Sequence, residues 1–290
     1  MSASLRIWIT GANGQLGKAI LRQMKQEGEL YNVLTTDRDV DIANMEQVSR
    51  YAGSTHPSVI INCASMTDVA ACEQDMVTAY KVNALGARNM AAAARMVDAK
   101  IIHMSTDDVF AGDRREKLTE FDPTSPTTIY GKSKLAGEML VRELNPKHLV
   151  IRSSWMYGDG NNFMSRILTW AGEGKEMHVS YDQVSTPTST DALARGILKL
   201  MESKEYGIYH ASCEGACSRY DFAKKVLELT GNDVNLLKPA LAEELTGAKQ
   251  RPKYSILENL MMKMTDVYRM PYWEDDLKEY LEVRGMRNDG

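Results

Sequence analysis

Thr10-Gly11-Ala12-Asn13-Gly14-Gln15-Leu16-Gly17 follows directly on the apolar run Leu5-Arg6-Ile7-Trp8-Ile9. Its glycines fall in a Gly-x-x-Gly-x-x-Gly spacing, and a helical pattern begins inside it. A strand that breaks into such a turn and then opens a helix is suited to a pyrophosphate. Glycines let the backbone approach the phosphates, and the helix N-terminus offers free N–H donors and a positive dipole end. Glycines also make plain turns, so the placement between strand and helix gives this one its meaning. The front of the chain therefore reads as a dinucleotide site, with Gly11 and Asn13 among the candidate cofactor contacts.

Outward from that turn, apolar runs alternate with helical patterns. Strands are predicted at Leu5–Thr10, Val33–Thr36, Val59–Asn62, Lys100–Ser105 and Leu149–Ser153. Helices are predicted between them at Gln15–Glu27, Met45–Ala52, Val77–Val97 and Ile129–Glu143. Such alternation with short links implies an α/β fold with a parallel sheet covered on both faces. Right-handed crossovers make it doubly wound, with the ligand crevice at the carboxyl ends of the strands. Residues 1–155 read as the dinucleotide-binding core. Residues 156–290 read mainly as a smaller C-terminal substrate-binding lobe, with some segments returning to the core. There, helices are predicted at Phe163–Gly172, Asp191–Glu202, Tyr220–Thr230 and Trp273–Tyr280, and short strands at His178–Ser180 and Gly207–Ala211.

Composition sets bounds. The 290 residues are 43% hydrophobic and 26% charged, ordinary values for a globular chain with room for a sizeable core. A net charge of −4 gives no electrostatic footprint for nucleic acid or an anionic membrane. No stretch approaches the ~20 apolar residues of a membrane span, and the first apolar run is already the first strand. Cys63, Cys72, Cys213 and Cys217 form no Cys-x-x-Cys pair and lie at no metal-ligand spacing from a histidine. Free thiols in a reducing compartment are expected, hence a cytoplasmic protein with no metal.

Two further positions bear on the cofactor. Asp37 ends the second predicted strand, where an acid can accept both hydroxyls of the adenosine ribose and favour NAD. Arg38 follows, and an arginine there can hold a 2′-phosphate and favour NADP. The pair leaves NADH and NADPH both open.

The catalytic signal lies in Tyr130-Gly131-Lys132-Ser133-Lys134. On a helix, Tyr130 and Lys134 fall one above the other on one face. A phenol with an ordinary pKa near ~10 is a poor acid or base at neutral pH. A neighbouring ammonium stabilises the phenolate and can also hold the nicotinamide ribose. Proton transfer by the tyrosine beside hydride transfer from a nicotinamide is then a coherent mechanism. Tyr-x-x-x-Lys alone is common; Thr106, at the carboxyl end of the fourth predicted strand, makes the set specific by offering a hydroxyl to a substrate carbonyl.

These residues resemble the extended short-chain dehydrogenase/reductase family, most nearly its dTDP-4-dehydrorhamnose reductase branch. The likeness extends through Asn62–Val69, Val82-Asn83, Ser105–Phe110, Tyr130–Lys134, Arg152–Gly158, Asp182-Gln183, Gly207–His210 and Arg251-Pro252. It implies a Rossmann-like fold and reduction of C4 in a dTDP-4-keto-6-deoxy-L-hexose by NADPH or NADH. Tyr130 would give the proton, Thr106 would orient the carbonyl and Lys134 would support both. Gly14, Gln15 and Leu16 would contact the pyrophosphate, and Asp41 and Ile42 the adenine. Ala64, Ser65, Met66, Asn83 and Met104 would line the cofactor, while Asp107, Asp108, Trp155 and Gln183 would meet the sugar nucleotide.

The chain departs from that pattern in three places. Asp108 and Met66 stand where aromatics are usual, and Val184 where a glycine is usual. Some relatives dimerise through a metal held by acids near position 15, a role closed to Gln15; a monomer or homodimer is expected. Two other readings stay open on the sequence. One is a reductase or epimerase acting on another nucleotide sugar. The other is a non-catalytic regulatory subunit like the methionine adenosyltransferase β subunit, which an intact Thr106, Tyr130 and Lys134 argues against.

Overall fold

The structure, a computed structural model, describes residues 5–28, 30–245 and 251–288. Its first half runs β1 (Leu5–Thr10), α1 (Gln15–Gln26), β2 (Tyr31–Thr36), α2 (Met45–Thr55), β3 (Val59–Asn62), α3 (Val69–Gln74), α4 (Met76–Tyr80), α5 (Ala87–Met96), β4 (Lys100–Thr106), α6 (Ile129–Leu144) and β5 (His148–Ser153). Then follow β6 (Met156–Tyr157), α7 (Phe163–Gly172), β7 (Met177–Ser180), β8 (Val184–Ser185), β9 (Thr188–Ser189), α8 (Thr190–Glu202) and β10 (Gly207–His210). The chain continues through β11 (Cys217–Ser218), α9 (Arg219–Leu229), β12 (Leu237–Ala240), α10 (Leu260–Thr265) and α11 (Trp273–Val283).

Six parallel strands form the central sheet in the order β2-β1-β3-β4-β5-β10. The winding direction reverses at β1, so the crevice outside its carboxyl end is the topological switch point. The glycine turn Gly11–Gly17 sits there. Strand alternation feeds two cores. Ile7, Ile9, Ile61, Ile102, Met104, Leu149, Ile151 and Tyr209 face α1 and α8. Trp8, Ile60, Ile101 and Val150 face α2 and α5. Burial on both faces is why these strands read as continuous apolar runs.

The back half shares the first of these cores. Tyr157, Phe222, Trp273 and Tyr280 are continuous with Ile7 and Ile9. The buried carboxylate of Asp276 on α11 fastens the two halves. It accepts from Tyr157 Oη (3.0 Å), Ser189 Oγ (2.6 Å) and Ser189 N (2.9 Å). The boundary expected at residue 155 is crossed by α8, packed on α1, and by β10, the sixth strand of the sheet. What remains outside the sheet is a set of two-stranded pairings: β6 with β9, β7 with β12 and β8 with β11.

The single helix expected over 77–97 is α4 and α5 joined by the π-helical segment Lys81–Gly86. α6 lies tightly against that segment. A Cβ on Gly137 would stand 2.3 Å from the carbonyl oxygen of Asn83. Short elements escaped the pattern because one or two turns carry no periodicity. α3, capped by Asp68 accepting from Ala71 N, is an example. Gly137→Ala is expected to cost about 1–3 kcal/mol of stability by overpacking. A lowered Tm in scanning calorimetry checks it; an unchanged Tm would mean that α6 can move off the π segment without strain.

Candidate active site

The glycine turn is a cradle that side chains would fill. Gly11 has φ of +64°, and a Cβ there would lie 2.8 Å from Ala64 N. A Cβ on Gly17 would lie 2.5 Å from Gly11 O. Gly14 caps α1 with no side-chain hydrogen bond, and the first turn carries no acid. The N-terminal amides of α1 are therefore offered to an anion rather than to the protein's own side chains. Asn13 is exposed at the turn. Leu16 is buried in the core, so only its backbone can serve there. Gln15 ties the turn to the 158–162 loop, donating to Asn161 O at 3.0 Å.

Asp37 is half-buried at the end of β2 and Arg38 is exposed beside it. Asp41 accepts from Ala43 N at 2.9 Å, and Ile42 packs under Gly86, where a Cβ would meet it at 2.7 Å. Ala64, Ser65 and Met66 are half-buried beyond β3. Asn83 is used differently from the expectation. Its amide is buried, accepting from Met66 N (2.8 Å) and donating to Met66 O and Ser133 Oγ (both 3.0 Å). It holds residues 64–66 in place.

The trio Thr106, Tyr130 and Lys134 converges at the carboxyl end of β4. Thr128 caps α6, accepting from Gly131 N at 3.0 Å. A Cβ on Gly131 would come within 2.1 Å of Asp108 O, so only glycine lets α6 lie this close to the 106–108 turn. That approach brings the Tyr130 phenol up to the Thr106 side chain. Thr106 Oγ1 also accepts from Asp108 N at 3.1 Å. Lys134 is buried and donates to Met104 O at 2.6 Å. Burial pushes its ammonium down to about 8, with Glu138 opposing. Burial raises the Tyr130 phenol, and so does the charge of Asp108. Arg251 and the Thr106 side chain pull it back. The strongest cationic influence on Tyr130 is thus Arg251, where the sequence pointed to Lys134.

Below the trio, Arg152 on β5 meets Glu138 on α6 through two hydrogen bonds, 3.0 Å from Nε and 2.7 Å from Nη2. Ser105 Oγ donates to the same carboxylate. This pair occupies Glu138 and leaves the Lys134 ammonium directed to the crevice end of β4.

The expected sugar side is charged. Asp107 is buried, accepts from Ser255 Oγ at 2.5 Å and is pushed up to about 7 by burial and by Asp108. Asp108 is buried in an ion pair with Arg251 at 2.7 Å. Trp155 has φ of +37°, a strained conformation for a bulky residue, and stacks on the Arg219 guanidinium at 4.1 Å. Gln183 departs from the expectation. Its side chain is fully buried and accepts from Ser180 Oγ at 3.1 Å, and its carbonyl accepts from Arg219 N. It anchors the start of α9, which carries Arg219. Sequence reasoning gave no role to Arg219, Arg251, Ser255, Arg152 or Glu138. Arg219 had a legible signal: a cation in the first turn of a helix runs against the dipole, which invites another reason for its presence.

Residues 5–285 match the family model described as RmlD substrate binding domain. The chain is 37% identical over 286 residues to the spore coat polysaccharide biosynthesis protein SpsK of Bacillus subtilis, covering 98% of this chain and 99% of that one. Its structure matches a dTDP-4-dehydrorhamnose reductase from Clostridium acetobutylicum with a TM-score of 0.94 and 46% identity, over 97% of this chain and all of that one (100%). A dTDP-4-dehydrorhamnose reductase from Bacillus anthracis, solved in complex with NADP, matches with a TM-score of 0.93 and 40% identity, over 97% and 99% of the two chains.

The Lys134 ammonium gives a pH prediction. It is charged below about 8 and neutral above. Affinity for the nicotinamide cofactor is therefore expected to hold steady up to that pH and weaken beyond it. Lys134→Met should bind more weakly with no such break. A fluorescence titration of NADPH across pH checks both; a wild-type affinity with no break near 8 would remove Lys134 from cofactor binding.

Proposed function

The chain belongs to the RmlD substrate binding domain family, and on that premise we propose that it reduces the C4 keto group of dTDP-4-dehydrorhamnose to give dTDP-L-rhamnose. NADPH or NADH is the reductant. The observation that carries the reading is the convergence of Thr106 and Tyr130 at the carboxyl end of β4, with Lys134 one turn along α6. Relatives named as dTDP-4-dehydrorhamnose reductases support the substrate. The B. anthracis relative bound to NADP supports the cofactor.

The residues present fit a dinucleotide. A Cβ at Gly11 would fill the cradle, the α1 amides carry no side-chain acceptor, and Asp37 and Arg38, just after β2, would serve the adenosine ribose. When bound, the nicotinamide supplies the hydride. The protein supplies the rest. Thr106 and Tyr130 hold the carbonyl oxygen between two hydroxyls and polarise it. The Tyr130 hydroxyl passes its proton to that oxygen as the C4–H bond forms, leaving an alcohol and a phenolate. Lys134 supports the ribose and the phenolate. Trp155 and Asp107 flank the sugar, and the segments outside the sheet close over it. Such a product is a building block for polysaccharide, in keeping with the SpsK relative's name.

Tyr130→Phe should lower kcat by roughly 10²–10⁴ while cofactor binding persists. Oxidation of NADPH by dTDP-4-dehydrorhamnose, followed at the nicotinamide absorbance, reads it. Full activity in that variant would show that the proton comes from elsewhere.

A further inference from the structure

The buried carboxylate of Asp108 holds the Arg251 guanidinium at 2.7 Å. The arginine is fastened from its own side as well. Pro252 packs on Gly112, where φ is +76° and a Cβ would lie 2.4 Å from the proline ring. Tyr254 N donates to Gly112 O at 3.2 Å, and Ser255 Oγ donates to Asp107. The 252–255 segment is thus tied to the β4–α6 connection that carries Asp108, whose carbonyl lies against Gly131 next to Tyr130, so Arg251 is held beside the start of α6.

We propose that Arg251, clamped by Asp108, is a positioning residue whose charge balances the negative charge left on Tyr130 when its proton is given up. The proposal rests on Tyr130 as the proton donor. The charges around that phenol come from five directions. Asp107 and Asp108 lie on the turn after β4, and Asp107 is shared with Ser255. Lys134, on the tyrosine's own helix, is committed to Met104 O beside Cys63. From α3, Glu73 accepts from Ile129 N at 2.6 Å, with Cys72 packed against the ring. Arg219 reaches Asp107 and Asp108 from α9. Arg251 is the strongest cationic influence on Tyr130, and Asp108 the strongest anionic one. They act on the phenol in opposite directions, so removing one or the other shifts it in opposite senses.

The test is the pH profile of the reverse reaction, oxidation of dTDP-L-rhamnose by NADP, in which the phenolate is the base. Its rate falls as pH drops through the Tyr130 pKa. Arg251→Gln should move that acidic limb up by about one to three units, the effect of losing an opposite charge at close range. Arg251→Lys should bring it back. Asp108→Asn should move it down, and the double variant should fall between the two single variants. A phenol limb shifts with temperature whereas a carboxylate limb scarcely does, which separates Tyr130 from Asp107. If Arg251→Gln does not fold, Asp108→Asn against the double variant carries the same test, since neither leaves a buried carboxylate unpaired. Limbs that stay at the wild-type pH in folded variants, or a limb insensitive to temperature, overturn the proposal. An active Tyr130→Phe would instead overturn the reading beneath it.

Discussion

The site depends on how closely α6 can approach its neighbours. Two glycines set that distance, Gly131 against the carbonyl of Asp108 and Gly137 against the carbonyl of Asn83. Backbone packed on backbone leaves little freedom, because close-packed interiors do not deform continuously. With α6 so fixed, Tyr130 reaches Thr106 and Lys134 reaches Met104 O. The π segment Lys81–Gly86 belongs to the same constraint. It turns Asn83 inward to brace the 64–66 wall and presents the carbonyl against which Gly137 packs. Residues 64–66 and α6 are thus positioned by one contact surface. π segments inside helices recur at functional sites for this kind of reason.

Around that frame the protein buries more charge than stability asks for. Glu138 and Arg152 are each almost wholly enclosed, and Asp107, Asp108 and Lys134 lie nearby. Replacing a buried ion pair by apolar residues is often neutral or stabilising, so retaining several in one region points to their electrostatic work. The two groups divide it. Glu138, bonded to Arg152 and Ser105, lies one turn from Lys134 and favours its charged form against the cost of burial. Asp108 and Arg251 are paired on the turn after β4, and their charges act on the Tyr130 phenol in opposite directions.

The parts written locally were legible in the sequence. β1, the glycine turn and α1 follow from contiguous residues, and so do the registers of Tyr130 and Lys134 on α6. The two-face burial of the strands follows from their unbroken apolar runs. What escaped depends on partners far along the chain. Asp108 reads as an anomaly until Arg251 is beside it, and Asn83 reads as a cofactor ligand until Met66 and Ser133 occupy its amide. Gln183 is the same case, since only the fold shows it buried at the start of α9. β10 was visible as a strand, but its place as the sixth in the sheet rests on pairing with β5. Polar side chains bond in whichever direction tertiary structure offers, and periodicity carries no record of that direction.

Trp155 shows how the back half completes the site. It follows β5, in the left-handed region at φ +37°, a conformation that costs on the order of 1–3 kcal/mol for a bulky residue. Neighbours over-determine it: Ser154 Oγ donates to Thr186 O at 2.8 Å, Thr188 N donates to Trp155 O, and the indole lies against Arg219. The stack on Arg219 in turn depends on α9 starting at Ser218, whose capping box with Asp221 fixes the first turn. A backbone strain at the end of a central strand is thus maintained by a helix far along the chain, through one aromatic–guanidinium contact. Relaxing Trp155 to an ordinary φ would swing the indole off Arg219 and remove that stacked support beside Asp107 and Asp108. The strain and the buried charges therefore describe one arrangement, in which the strand ends supply the chemistry and the returning chain holds its charges in register.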